Sequence, residues 1–294
     1  PADDARRRHP PTTGPARCYT PAVSLKERLD ELVATQDVAA RRAADPVAFV
    51  HRAASPDREV VGLVAASLAF GNVVSVRRSI ARVLEALGPR PAATVDRARR
   101  RTLERRLGGF VHRVWRGPHL ATLLVNAGAI RRREGSLGAA MARRLAVRGD
   151  FREALADPAD ALRGADADRG LRHLMPDPRA GSACKRLLLY VRWMSRPADG
   201  VDLGLWPVPP ARLVIPVDTH VHRIAKNLRL TERNDASWRT AEEITAALRR
   251  FDPDDPVKYD FALCHLGVSR ECPSRRDPDK CARCVLRTVC RHWR

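Results

Sequence analysis

Four cysteines crowd the last 23 residues of this chain: Cys272, Cys281, Cys284 and Cys290. The final three read C-x2-C-x5-C, and eight residues separate the first from the second. A C-x2-C step lets two thiolates reach a common centre from a single turn, and the uneven outer spacings let the chain wrap around that centre. Four thiolates hold either a 4Fe–4S cluster or one tetrahedral zinc. A zinc ribbon brings two close Cys pairs and only one pair exists here, so spacing favours iron–sulfur. Unrelated buried thiols are the third reading.

The charge balance points to a partner. Net charge is +20 and the pI is near 11.0. That is expected of a protein that neutralises a polyanion, most often nucleic acid. An anionic membrane surface is the competing partner, but no basic amphipathic helix with a Trp/Phe face is present. Arginine outnumbers lysine 49 to 5. A GC-rich genome accounts for part of that bias, and arginine also suits bidentate phosphate and guanine contacts. No run of 18 apolar residues occurs, which argues against a membrane-spanning helix. The first residues lack the apolar stretch of a signal peptide. Cys18, Cys184 and Cys264 have no regular spacing, so a reducing cytoplasm fits better than a disulfide framework.

The elements that must position these groups read as helices. Residues 1–22, rich in Pro and Arg, are expected to form a mobile tail. Ser24 and Glu27 form a capping box ahead of a stripe of Leu25, Leu29, Leu32 and Val33. Ser55-Pro56 opens a second helix, whose apolar run VVGLVAASLAF ends at Gly71-Asn72. A third covers about 75–87 and is stopped by Gly88-Pro89. Two or three more fit between 97 and 156, and 157–168 reads as a loop. Asp218 precedes Val221, Ile224, Ala225 and Leu228, which share a face. Ser237 starts a helix carrying Ala241, Ile244, Leu248 and Phe251. Asp255-Pro256 starts another, whose stripe of Val257, Phe261, Cys264 and Val268 places Cys264 in a core, apart from the other cysteines. No alternating strand pattern persists and no repeat is visible. The fold class expected is all-α.

Three segments then line up in one chain: LVAASLAFGNVVSV, then VDTH at 217–220, then a helix ending DFALCHLGVSREC that leads into the cysteine tail. Together they resemble the helix-hairpin-helix DNA glycosylase superfamily, and the tail resembles that of its endonuclease III branch. The last two cysteine spacings match that branch and the first gap is longer by two residues. The runs RWM, VDLGLW, IPVDTHVHRI and DPVKYDFALCHLG resemble a little-characterised bacterial family within the superfamily. The resemblance covers roughly residues 55–290. It implies two helical lobes with DNA across the cleft between them: a central barrel at 56–212 carrying the hairpin, and a discontinuous domain of 23–55 with 213–294 holding the cluster.

The same resemblance assigns roles. Asp218 matches the essential aspartate, whose carboxylate stabilises positive charge on the sugar as the N-glycosidic bond breaks, or orients the nucleophile. An Asp before a helix is also a common N-cap, and both roles fit one residue. Lys185, in GSACKRLLLYVRWM, is the candidate amine nucleophile. Such an amine forms a Schiff base with the sugar and permits strand cleavage. The hairpin text departs from the usual L-P-G-x-G, reading Leu174-Met175-Pro176-Asp177-Pro178-Arg179-Ala180-Gly181, and one register moves the lysine slot to Ala183. Gly181 and Ser182 at a helix start are the candidate phosphate contacts. Phe70 is either a wedge that enters the base stack or the last core residue of its helix. Asn72 and His220 are further DNA-contact candidates, and His222 is expected to contact DNA or cap structure rather than bind metal. Arg275, Arg276, Arg283, Arg287 and Arg291 would give the cluster loop a basic face for phosphates.

The expected function is therefore base excision repair. A monomeric DNA glycosylase, associated with cytoplasmic or nucleoid DNA, would flip a damaged base out of double-stranded DNA and excise it. An oxidised purine such as 8-oxoguanine is the default lesion, and AP-lyase activity follows if Lys185 is well placed. A non-catalytic DNA-binding protein on the same fold is the alternative, and a zinc-dependent nucleic-acid-binding module is a third reading.

Overall fold

In the computed structural model the described residues are 23–293; the expected N-terminal tail and Cys18 lie outside them. Sixteen helices account for most of the described chain. Leu25–Thr35 (α1) starts with the anticipated capping box: Ser24 Oγ accepts from Glu27 N at 3.2 Å, and Ser24 N donates to the Glu27 carboxylate at 2.7 Å. Val38–Ala44 (α2) and Val47–Arg52 (α3) follow, then Arg58–Leu68 (α4), entered through a 3-10 turn at Ser55–Asp57. Asn72 starts Val73–Leu87 (α5), and Gly88, at φ +79°, ends it. Pro91–Arg97 (α6), Arg100–Arg106 (α7), Gly117–Glu134 (α8), Leu137–Arg148 (α9) and Phe151–Arg163 (α10) form the middle of the chain. Arg169–Leu174 (α11) and Lys185–Ser195 (α12) flank a 3-10 turn at Pro178–Ala180. Thr219–Asn227 (α13), Trp238–Arg249 (α14), Asp260–Val268 (α15) and the short Pro278–Ala282 (α16) complete it. No described helix is long and apolar enough to cross a membrane.

Four local expectations are corrected. Residues 157–163 are not loop: they complete α10, with Pro158 inside it. Ala154, Leu155, Ala159 and Leu162 are buried there against α8 and α9, and that burial outweighs the hydrogen bond lost at proline. Four helices, α7 to α10, occupy the stretch where two or three were expected. A two-stranded antiparallel ribbon, Val111–His112 (β1) with Trp115–Arg116 (β2), is too short to show alternation in sequence. The helix expected at Asp255-Pro256 begins only at Asp260, after a turn.

Two close contacts set the frame of the site. A Cβ at Gly62 in α4 would lie 2.7 Å from the Met194 methyl, so the glycine lets α4 and α12 press together. Glu59, buried in α4, accepts from Arg131 at 2.7 Å, Gly138 N at 2.9 Å and the Trp206 indole at 2.7 Å. That one carboxylate ties α4, α8, α9 and the segment after α12 together, and leaves its oxygens well bonded in a dry interior. The end of α4 and the start of α12 are thereby held side by side.

Candidate functional site

Asp218 has extended backbone (φ −112°) and caps α13. Its Oδ1 accepts from the backbone N–H of His220 at 2.9 Å and Val221 at 2.8 Å. The helix is seated by Val221, Ile224 and Ala225, all buried, against α15. The cap uses one oxygen and leaves Oδ2 toward a small cavity of about 40 Å³, lined by Asp45, Lys185, Arg192, Asp218, Asp260, Cys264 and His265 among others. A space of this size holds about one water and no nucleobase. A sugar or base would therefore lie at its mouth.

Lys185, 33 residues before Asp218, borders the same cavity. It is the first residue of α12, and its neighbour Cys184 adopts a left-handed conformation (φ 47°) that non-glycine residues seldom take. Its Nζ donates to the Ala69 carbonyl at 3.4 Å, at the end of α4. Ala183, the alternative register, is buried in the hydrophobic core.

Asp260 and Arg192, which also line the cavity, were not singled out as site residues. Asp260 opens α15 fully buried and bonds Arg192 of α12. Burial pushes its carboxyl up to about 6; Arg192 opposes the rise and the Asp218 charge adds to it. Arg192 also holds Asp202 at 3.0 Å, and Asp202 bonds Arg196, which reaches Asp255 at 2.7 Å. This chain of buried charges ties the long segment before Asp218 to the cavity floor. Both key residues leave a trace in the sequence: a lone charge inside an apolar run, Arg192 in LLLYVRWM and Asp260 in KYDFALC. Removing one partner strands the others, so Arg192→Met is expected to lower stability by about 3–5 kcal/mol. Urea unfolding measures it, and a loss below about 1 kcal/mol would mean that the pairs behave as solvated surface bridges.

Cys264 packs against the core as its stripe implied, and it also meets the site. It is half-buried, with its Sγ 3.7 Å from Asp218 Oδ2. Burial, with the Asp218 and Asp260 charges, pushes its thiol well above the ordinary range. It stays protonated and donates, fixing the carboxylate oxygen that the helix cap leaves free. Cys264→Ala should therefore slow any reaction at Asp218 about fivefold, the worth of one hydrogen bond of about 1 kcal/mol, whereas Cys264→Ser should restore it. Equal rates for both variants would make the thiol a packing group only.

The candidate DNA contacts are dispersed around this cavity. Phe70 is 47% exposed and so is not a core residue. Its ring sits among Trp115 (5.8 Å), His173 (5.9 Å) and the Arg113 and Arg186 guanidinium groups (5.7 and 5.9 Å). Arg186 lies 4.3 Å over Trp115, and burial pulls it down to about 10. Asn72 spends its side-chain oxygen on the α5 cap, accepting from Val74 N at 2.9 Å. Gly181 (φ +84°) and Ser182 are exposed at the α11–α12 turn, where open space surrounds Gly181. His220 packs tightly on Gly267 of α15, and His222 Nε2 bonds the Arg233 carbonyl at 3.0 Å.

The cysteine tail is anchored on the helices that build the cavity. Arg223 of α13 donates to the Cys272 sulfur at 3.4 Å and to its carbonyl at 2.8 Å. Cys272 N in turn bonds the Leu266 carbonyl of α15 at 2.7 Å. Cys281 lies on α16, and Cys284 and Cys290 follow in tight turns. All four thiols are free and half-buried. Burial raises the Cys272 and Cys284 thiols, and other tail cysteines add to each rise. Among the described residues no three His, Cys, Asp or Glu side chains are gathered as one metal ion requires. The donor set fits a thiolate-held group: four sulfurs, an arginine clamp, and no competing disulfide among them. Arg283 and Arg287 are exposed beside it, each donating to a backbone carbonyl at 3.2 Å, with Arg287 also 5.6 Å over the Trp293 ring, while Arg291 pairs with Glu232 at 2.9 Å.

Comparison with known proteins places residues 45–269 in a family described as protein of unknown function (DUF2400), and the chain belongs to that family. The matched span includes Lys185, Asp218, Asp260 and Cys264 and ends ahead of Cys272. No curated protein and no solved structure matches the chain.

Proposed function

We propose that this member of the DUF2400 family is a DNA glycosylase of the helix-hairpin-helix kind that excises a damaged base from duplex DNA at the Asp218 cavity. One observation carries the reading: Lys185 and Asp218, distant in sequence, border one small cavity, with one Asp218 oxygen spent on the helix cap and the other held by the Cys264 thiol. The +20 charge supports a polyanionic partner. An oxidised purine remains the default lesion.

In this reading the nucleotide is extruded and its sugar rests at the cavity mouth. Phe70, one residue beyond the carbonyl that Lys185 holds, fills the gap left in the stack. The Asp218 carboxylate stabilises the positive charge that grows on the sugar as the bond to the base stretches. The Lys185 nitrogen then bonds to the anomeric carbon as the base departs with the electron pair of the broken bond; the proton shed by the nitrogen goes to the base, the ring C–O bond opens with its oxygen protonated to a hydroxyl, and the resulting Schiff base permits strand cleavage. Gly181 and Ser182 present the turn before α12 to a phosphate. Cys272, Cys281, Cys284 and Cys290 would hold a 4Fe–4S cluster, which when bound cross-links the tail and fixes Arg283 and Arg287 toward the backbone. The two lobes expected from the resemblance belong to this proposal.

The hairpin favours a second reading. Pro176 and Pro178 remove two backbone donors where a phosphate would be held. A DNA-binding protein without catalysis is therefore the rival. Borohydride trapping on single-lesion duplexes distinguishes the readings. The parent is expected to form a covalent adduct that Lys185→Gln cannot form. Base release without trapping would make the enzyme monofunctional, with water as nucleophile. Tight binding with neither trapping nor release on any duplex would establish the rival.

A further inference from the structure

Helix α5 begins beside Phe70 and runs 15 residues, about 22 Å, to the opposite end of its own axis. There Gly88-Pro89 turns the chain into α6 and α7. These helices and the turn border an open hollow of about 410 Å³. Arg90, Arg97, Arg99 and Arg106 line it, above a floor that includes Ala93 and Leu103. All four arginines are exposed, and no carboxylate lines the hollow.

Arginines elsewhere in this chain are widely paired, as at Arg131, Arg179 and Arg196. Among the described residues, none of these four has a carboxylate partner. The acids on the same helices are engaged with other residues. Asp96 of α6 takes Arg131 at 2.8 Å, and Glu104 of α7 takes Arg100 at 2.9 Å. Four like charges thus line one concave surface that no carboxylate lines, and like charges repel one another. A multivalent anion reverses that balance. The guanidinium fork matches phosphate oxygens in bidentate geometry. The volume falls within the range of small-molecule sites and exceeds the need of a single simple ion.

We propose that this arginine-lined hollow is a phosphate-binding site, separate from the Asp218 cavity, that takes an anion bearing several phosphates. That chemistry has two sources, a free oligophosphate and the backbone of nucleic acid. The proposal does not depend on the glycosylase reading, since no residue of the Asp218 cavity takes part.

The test uses the full chain and the double variant Arg97→Glu/Arg106→Glu. Both positions are exposed, so the fold is retained, as circular dichroism checks. A control of equal charge change, Arg239→Glu/Arg250→Glu, lies outside the hollow at two exposed positions. Sodium tripolyphosphate is titrated calorimetrically, and an undamaged duplex of about 30 bp is titrated across a salt series. Tripolyphosphate binding by the parent and the control, weakened about tenfold or more in the hollow variant, assigns a free oligophosphate. If tripolyphosphate does not bind, a salt slope for the duplex that falls by about two in the hollow variant and not in the control assigns the nucleic-acid backbone. The proposal is overturned if neither quantity changes, or if both variants change alike.

Discussion

Asp218→Asn is expected to cut base release by about a hundredfold or more on any accepted lesion while duplex affinity stays at the parent value. The substitution isolates charge from structure. Asparagine is as good an N-cap as aspartate, so its side-chain oxygen can still accept from His220 and Val221. The α13 helix and its packing on α15 are thereby kept, and only the negative charge facing the growing sugar cation is removed. Single-turnover base release and fluorescence anisotropy measure the two quantities. Release that persists at the parent rate would show that the charge takes no part in the reaction. Loss of binding together with release would reduce Asp218 to a structural cap.

Replacing any one tail cysteine should have the second large effect. Anaerobically purified parent should carry about four iron and four sulfide per chain, as the cluster formula requires. Cys281→Ser or Cys284→Ser should lose most of both and weaken binding to every duplex sequence alike. The reason is mechanical. Cys272 is tied to α13 by Arg223 and to α15 by the Leu266 carbonyl, whereas the turns that carry Cys284 and Cys290 rest on few buried groups, Leu286 being one. A bound centre supplies folding energy that so small a core lacks. Its loss should free Arg283 and Arg287 from their fixed places. Stoichiometric zinc without labile sulfide would replace the iron–sulfur reading with a zinc one. Four serine variants with parental DNA affinity would mean that the tail does not touch DNA.

What could be read from the sequence was local. The Ser24–Glu27 box, the stripe from Val221 to Leu228 and the stripe behind Ser237 depend on neighbours three or four residues away, and the structure has them as helices. Elements decided by distant partners were not legible. Pro158 reads as a stop, yet α8 and α9 hold α10 together through it. The β1–β2 ribbon has two residues per strand, too few for a pattern. In the candidate site, Asp218 and Lys185 came from motif and resemblance, and the structure has them bordering one cavity. The floor beneath them did not come that way. Asp260 meets Arg192 across 68 residues, and Cys264 meets Asp218 across 46. The helical stripe that assigned Cys264 to a core was right about its face and silent about what that face meets.

The most direct measurement is chromatographic detection of free base after equimolar protein is incubated with a panel of duplexes, each carrying one lesion. Glycosylase action at Asp218 requires that at least one duplex yields its free base with the parent protein and that none does so with Asp218→Asn. Tight binding to the panel with no free base from any duplex would contradict it.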